Sequence, residues 1–324
     1  MLEPVVLMPE DLNSAIELAS EIFDKDMGAC FPIFLSEKNV SNLLGVKDGG
    51  RVVSLLGMQP AKISIYGYTL KVGLIGSVCT HPDYRGAGFA SRMLEIMEAQ
   101  SIKKGISVFV ISGLRGLYRR FGAVEFGSYH TAKISSEGEK AKIKKANLKD
   151  VGKILSIHQK KLIRYLRNYD DFKAVFESGY IATRASETYL GEESYCTFAN
   201  IDKELHVLEF GGKKDEVLRI IRTVTAEKNR NYCVLHFDDS FNYPADKTTT
   251  FEGTVKIISA ENFFSQLEDF FKERLSNKEY EEFKNKASKL DNSELTKAVL
   301  GKGVDLGLEG IFPITLPDYG WNYI

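Results

Sequence analysis

The stretch His81-Pro82-Asp83-Tyr84-Arg85-Gly86-Ala87-Gly88-Phe89-Ala90 constrains this chain more than any other. It follows a β-rich run that ends at Thr80. It precedes a helical pattern from about Gly88 to Lys104, with Ala90, Met93, Leu94 and Met97 on one face and Gly105 as the stop. A strand therefore hands over to a helix through a turn with two glycines. The start of such a helix exposes backbone N–H groups and the positive end of its dipole. Glycine lets a bulky anion approach the backbone, so the turn can cradle a pyrophosphate. Arg85 adds charge and Ser91 a hydroxyl. A bare GxG favours a turn built for geometry alone, so the flanking residues must decide. The nucleotide signature GxxxxGK[ST] is absent, and the dinucleotide signature GxGxxG would need glycine at Ser91.

The surroundings predict a mixed, largely antiparallel α/β (α+β) fold. Residues 4–8 read as a strand, and Pro9 opens a helix with Ile16, Leu18, Ala19, Ile22 and Phe23 as its apolar stripe. A looser helical stretch extends to about Leu43. Leu44–Lys47, Arg51–Ile65 and Thr69–Thr80 are β-rich, and Asp48-Gly49-Gly50 and Tyr66-Gly67-Tyr68 separate them with tight-turn chemistry. After the helix come a strand at Ile106–Ser112, a helical turn at Leu114–Phe121 and a strand at Ala123–Ile134.

The longer string V-x-T-H-P-x-Y-R-G-x-G-x-A resembles the acetyl-CoA signature of the GNAT (GCN5-related) N-acetyltransferases, and the element order of residues 4–134 resembles their fold. The resemblance implies acetyl-CoA as co-substrate. Val78, Cys79 and Thr80 would meet the pantetheine arm through the backbone, and a bulge would aim the Val78 N–H at the thioester carbonyl. Arg85, Gly86, Ala87, Gly88, Phe89, Ala90 and Ser91 would hold the pyrophosphate. Leu117-Tyr118-Arg119-Arg120-Phe121-Gly122-Ala123 is similar to the family's Y-x-x-x-G-F element, with Ala123 where phenylalanine is usual. That implies a catalytic Tyr118 beside the CoA sulfur. A phenol of pKa about 10 stands above a free thiol at about 8.5, so it would hydrogen-bond the departing thiolate.

The second half repeats the rhythm: strands at Tyr189–Asn200 and Leu205–Phe210, a helix at Asp215–Lys228 and a strand at Tyr232–Phe237. Leu208-Glu209-Phe210-Gly211-Gly212-Lys213-Lys214 sits in the cradle position without R-x-x-G-x-G, so a second CoA site is not expected. From about 252 a strand and three helices follow. This layout resembles the Eis-like acetyltransferases. It implies a catalytic GNAT domain over 1–138, a degenerate GNAT-like domain over 139–250 and a small sterol-carrier-like α/β unit over 251–324. In that subgroup the C-terminal carboxylate enters the first active site, which makes Ile324 the candidate base and the aromatic tail around Trp321 a docked segment. Many such relatives are trimers or hexamers, so a homo-oligomer is an expectation.

Composition bounds the rest. Lys and Arg total 43 against 44 Asp and Glu, a net charge of −1, which argues against nucleic-acid or membrane-surface partners. Cys30, Cys79, Cys196 and Cys233 and the five histidines are scattered, so no metal site and no disulfide framework are expected. No basic segment leads into an apolar one at the start, and no apolar run nears the ~20 residues of a membrane span. The cytoplasm is the expected location. The expected activity is acetyl transfer from acetyl-CoA to a primary amine, small molecule or peptide, by direct attack in a ternary complex. An acetyl-CoA-binding regulator without turnover and a transferase for longer acyl-CoA are the alternatives. Glu21, Asp24 and Asp26 could draw in a cationic acceptor, or form a solvated helix face.

Overall fold

The computed structural model describes residues 2–301, 311–317 and 320–322. In chain order its elements are β1 (Pro4–Val6), α1 (Leu12–Phe23), α2 (Met27–Cys30), β2 (Leu43–Asp48), β3 (Arg51–Ile65), β4 (Tyr68–Thr80), α3 (Phe89–Lys103), β5 (Val108–Ile111), α4 (Gly116–Arg120), β6 (Val124–Glu125) and β7 (Tyr129–Ser135). There follow β8 (Lys144–Lys145), α5 (Val151–His158), β9 (Ile163–Tyr165), α6 (Tyr169–Ser178), β10 (Tyr180–Ile181), β11 (Arg184–Leu190), β12 (Tyr195–Ile201), β13 (Glu204–Gly211), α7 (Lys214–Glu227) and β14 (Tyr232–Phe237). The chain continues with β15 (Lys247–Thr249), β16 (Thr254–Ile257), α8 (Ala260–Lys272), α9 (Asn277–Ala287) and α10 (Asn292–Val299).

Two mixed sheets organise the molecule. The first has the order β1-β2-β3-β4-β5-β16-β6, with β9 added along β3. Two-residue turns close the β2–β3 and β3–β4 hairpins, with Asp48 opposite Arg51 and Ile65 opposite Tyr68. The expected meander is present. On one face, Ala15, Leu18 and Ala19 of α1 share a core with Ile63, Ile65, Leu70 and Val72. On the other, Met93, Leu94 and Met97 of α3 bury their stripe against Leu56, Met58 and Ile75. Burial of each such side chain is worth about 1.5–3 kcal/mol, which fixes the direction in which α3 leaves the glycine turn.

The second sheet has the order β10-β11-β12-β13-β14-β7-β15, with β8 on β11. Strands β13 and β14 run parallel around α7, as β4 and β5 run parallel around α3. The repeated rhythm of the two halves is thus a repeated strand–helix–strand crossover.

Linear order misplaces three segments. The predicted strand Ala123–Ile134 breaks into β6 and β7 at Gly127, whose φ is +66° and where a Cβ would stand 2.2 Å from the Phe251 ring. After that break β7 pairs with β14, in the second sheet. In return β9 and β16 enter the first sheet, and β16 separates β5 from β6. A separate sterol-carrier-like unit over 251–324 is therefore not what forms. Phe263, Leu267, Phe270 and Phe271 of α8 join the core of the first sheet, and so do Phe283 of α9 and Leu295 of α10. The boundaries at 138/139 and 250/251 are crossed by β-ladders for the same reason. The looser helix before Leu43 also shrinks to α2, after which the chain runs in turns through Pro32.

Candidate active site

Strand β4 carries a bulge at the position where the resemblance implies the thioester contact. Cys79 pairs with Leu55 and Gly76 with Gly57, so Ser77 and Val78 together oppose Leu56. Ser77 takes φ +49°, a left-handed conformation uncommon for a residue with a Cβ. The parallel ladder to β5 reaches Ile75 opposite Ile111. Past that pair the two strands part, which opens a wedge beside the backbone of 76–80. The Arg115 guanidinium spans the wedge and donates from Nη1 to the Val78 carbonyl at 3.4 Å.

The glycine turn follows the C-terminal end of β4, a few residues past the bulge. Gly86 and Gly88 have φ of +82° and +77°, and no atom lies within 4 Å of a Cβ built at either. Glycine is thus needed there for the backbone, while the space above is open to an anion. Arg85 to Gly88 are exposed; Phe89 is buried and pins the start of α3. The first three N–H groups of that helix, from Phe89, Ala90 and Ser91, have no carbonyl inside the helix to meet. Arg85 folds back and donates from Nε to the Thr80 carbonyl at 3.1 Å. Cys79 and Thr80 are tied into the sheet by Ser54. Ser54 Oγ donates to the Cys79 carbonyl at 3.2 Å and lies 2.7 Å from Thr80 Oγ1. Burial pushes the Cys79 thiol up to about 12, so it stays protonated and is no nucleophile.

A cleft of about 250 Å³ joins the bulge to the other candidate residue. Gly76, Ser77 and Val78 form one wall, and Ser112, Arg115 and Tyr118 the opposite one. Phe23, Lys25, Met27 and Phe31 come from the α1–α2 region, and the turn at 182–184 reaches in from the second half. Val78 and Tyr118, distant in sequence, thus share a cavity. The helix α4 holds Tyr118, which is 3% exposed. Ile324 lies outside the described residues.

Residues 7–126 match the family model of the acetyltransferase (GNAT) domain. This segment is a GNAT acetyltransferase domain. The family implies an acyl-CoA co-substrate, and the chain is an acyltransferase. Three solved structures share the fold. A GCN5-related N-acetyltransferase from Kribbella flavida is 16% identical with TM-score 0.63, over 82% of this chain and 73% of that one. A probable N-acyltransferase from Enterococcus faecalis V583 is 13% identical with TM-score 0.66, over 82% and 75%. Eis1 from Mycobacterium abscessus is 11% identical with TM-score 0.60, over 82% and 76%. No curated protein matches the chain.

The acyl-CoA fits the GNAT domain at the open glycine turn and along the parted edge of β4. The second half lacks such space. A Cβ at Gly212 would stand 2.3 Å from Ser194 Oγ and 2.4 Å from the Glu193 carbonyl oxygen. The Lys213 N–H already donates to Ser194 Oγ at 2.9 Å. Glu216, in the first turn of α7, accepts from the Glu192 N–H at 2.6 Å and the Ser194 hydroxyl at 2.7 Å. The positive end of α7 is therefore satisfied by the chain's own carboxylate.

The acidic residues that could draw in a cationic acceptor, or form a solvated helix face, lie outside the cleft. Glu21 pairs with Arg51 at 3.1 Å, and Asp26 caps α2 by accepting from the Ala29 N–H at 2.9 Å. Neither they nor Asp24 line the cleft; Lys25, Arg115 and Arg184 do. Sequence reasoning missed these cations. Arg115 stands three residues before Tyr118 and was within reach of that motif. Arg184 comes from the other half of the chain and had no local signal. Among the described residues no group of three or more His, Cys, Asp or Glu is placed to hold a metal, and no helix is long and apolar enough to cross a membrane.

Proposed function

We propose that the chain moves an acetyl group from acetyl-CoA to a primary amine by direct attack in a ternary complex. The observation that carries this reading is the shared cleft of Val78 and Tyr118 at the parted end of β4, the end from which the chain runs into the open glycine turn. The backbone of Phe89 to Ser91 would hold the pyrophosphate, and β4 would orient the pantetheine. The Val78 N–H at the bulge would face the oxygen charge that grows on the acyl carbonyl. The Tyr118 hydroxyl would hold a proton for the leaving sulfur. Binding both reactants in one cleft removes much of the entropic barrier.

The proton of the attacking amine is assigned to the Ile324 carboxylate. What supports this is the docking of the tail just before it. The Trp321 N–H donates to Glu209, and Trp321 and Asn322 share a cavity with Phe31, which also lines the cleft. The tandem halves and the docked tail support an Eis-like kinship. Four free, buried cysteines support a reducing cytoplasm.

Thiol release from acetyl-CoA with pooled amines tests the reading. Amine-dependent release should fall by about 100-fold in Tyr118→Phe, the scale of one general acid. Acetyl-CoA binding without release for any amine would favour a regulator; release from longer acyl-CoA alone would favour that donor.

A further inference from the structure

We infer that the acceptor amine carries an anionic group, a carboxylate or a phosphate, received by Lys25, Arg115 and Arg184. This rests on the transferase reading and names its acceptor class. The three cations come from three separate segments: the α1–α2 connection, the loop before α4, and the start of β11 in the second half. Among the described residues no Asp or Glu lines the cleft they share. Among the described residues none of the three forms an ion pair, although Lys25 sits between two aspartates in sequence. Asp26 is engaged at the α2 cap, and Glu21 beyond them by Arg51. Arg115 spends one long hydrogen bond on Val78 and keeps its remaining donors.

Like charges gathered without a counter-charge repel one another, and a bound anion removes that cost. The acyl-CoA does not supply it, because its phosphates belong at the exposed glycine turn, none of whose residues lines this cleft. The thioester end that reaches the bulge is neutral. The Ile324 carboxylate assigned to the amine proton offsets one of the three positive charges; an anionic group on the acceptor meets the rest and sets its orientation, with the anion toward the cations and the amine toward Val78. The same positive field disfavours an ammonium in the cleft. It thereby raises the fraction of neutral amine, the form that attacks. A polycation would be repelled.

The test compares thiol release for matched amines that differ in one anionic group: L-amino acids against their amides, and phosphoethanolamine against ethanolamine, with spermidine as the polycation. The anionic member should have a kcat/KM higher by about tenfold or more, the ratio expected for one charge-assisted hydrogen bond. The pair with the larger ratio names the anion. Arg184→Glu should raise KM for the anionic member and invert the preference, and Arg184→Lys should keep most of it. All three cations are exposed, so these variants should fold. Equal or better use of amides and spermidine, with no response to Arg184→Glu, overturns the inference and leaves the transferase reading standing. Calorimetry on CoA-saturated protein separates the two. L-amino acid or phosphoethanolamine binding that Arg184→Glu abolishes, without turnover, keeps the cation site and sinks the transferase reading. Neither binding nor turnover sinks both.

Discussion

Glu209 accepts two hydrogen bonds from Arg167, Nη1 to Oε1 at 2.6 Å and Nη2 to Oε2 at 2.8 Å, with both side chains buried. The Tyr195 hydroxyl donates to Oε1 and the Trp321 N–H to Oε2, each at 2.7 Å. Arg167 also donates from Nε to the Asn322 side-chain oxygen at 2.8 Å. One ion pair thus ties β13 to the tail. Burial alone would push the Glu209 carboxyl up. The charge and hydrogen bonds of Arg167 outweigh it and hold the group at about 2.

Glu209→Gln should destabilise the protein by about 3–5 kcal/mol, because it leaves the buried Arg167 charge uncompensated. Urea unfolding measures this. The double variant Arg167→Met/Glu209→Leu should recover much of the loss, and a single variant without effect would show that the pair does not hold the fold.

Stability should fall as pH drops from about 7 toward 4. Burial, with Arg167, pushes His158 down to about 3, and burial, with His206 and Arg184, pushes His236 down to about 4. The unfolded chain takes up these protons near 6.5 while the folded one does not, so acid favours unfolding across that window. Glu209 acts lower. Its contribution is complete above its unfolded value near 4.5 and is lost down to about 2. Urea midpoints stepped through the upper window check the histidines, and His236→Gln should flatten the slope.

Gly88→Ala should weaken acyl-CoA binding more than it weakens the fold. The left-handed backbone at this position costs a side chain about 1–2 kcal/mol, and the new methyl projects into the open space of the turn. Calorimetry should show a dissociation constant raised about tenfold or more. Unchanged affinity would remove the turn from the binding site.

Titration should end at one acyl-CoA per chain. The 192–194 loop and Glu216 fill the equivalent position in the second half. A second site of similar affinity would contradict that packing.

Local chemistry was legible in the sequence because turns, bulges and helix starts depend on neighbours. The meander and the glycine turn followed from runs of ten to fifteen residues, while Tyr118 was singled out by the resemblance of its motif. Partnerships across a hundred residues were not legible. Thr254–Ile257 looks like any short apolar strand, and nothing in it says that its partners are Val108–Ile111. Arg184 reads as a strand-start residue until the fold brings it to the cleft. The acids of the α1–α2 region were visible, but their caps and ion pairs were not.

The insertion of β16 between β5 and β6 sets an order of events during synthesis. A ribosome that has released residues 1–138 has made the glycine turn, the bulge and Tyr118, yet β5 still presents an unpaired edge. That edge stays open until residue 257 has emerged, more than a hundred residues later. The nascent first half is therefore a sheet with a gap, exposed to wrong strand pairing in the interval. For the same reason, a protease cut between β7 and β8 would release no self-sufficient half, since each fragment would keep a strand that the other sheet requires.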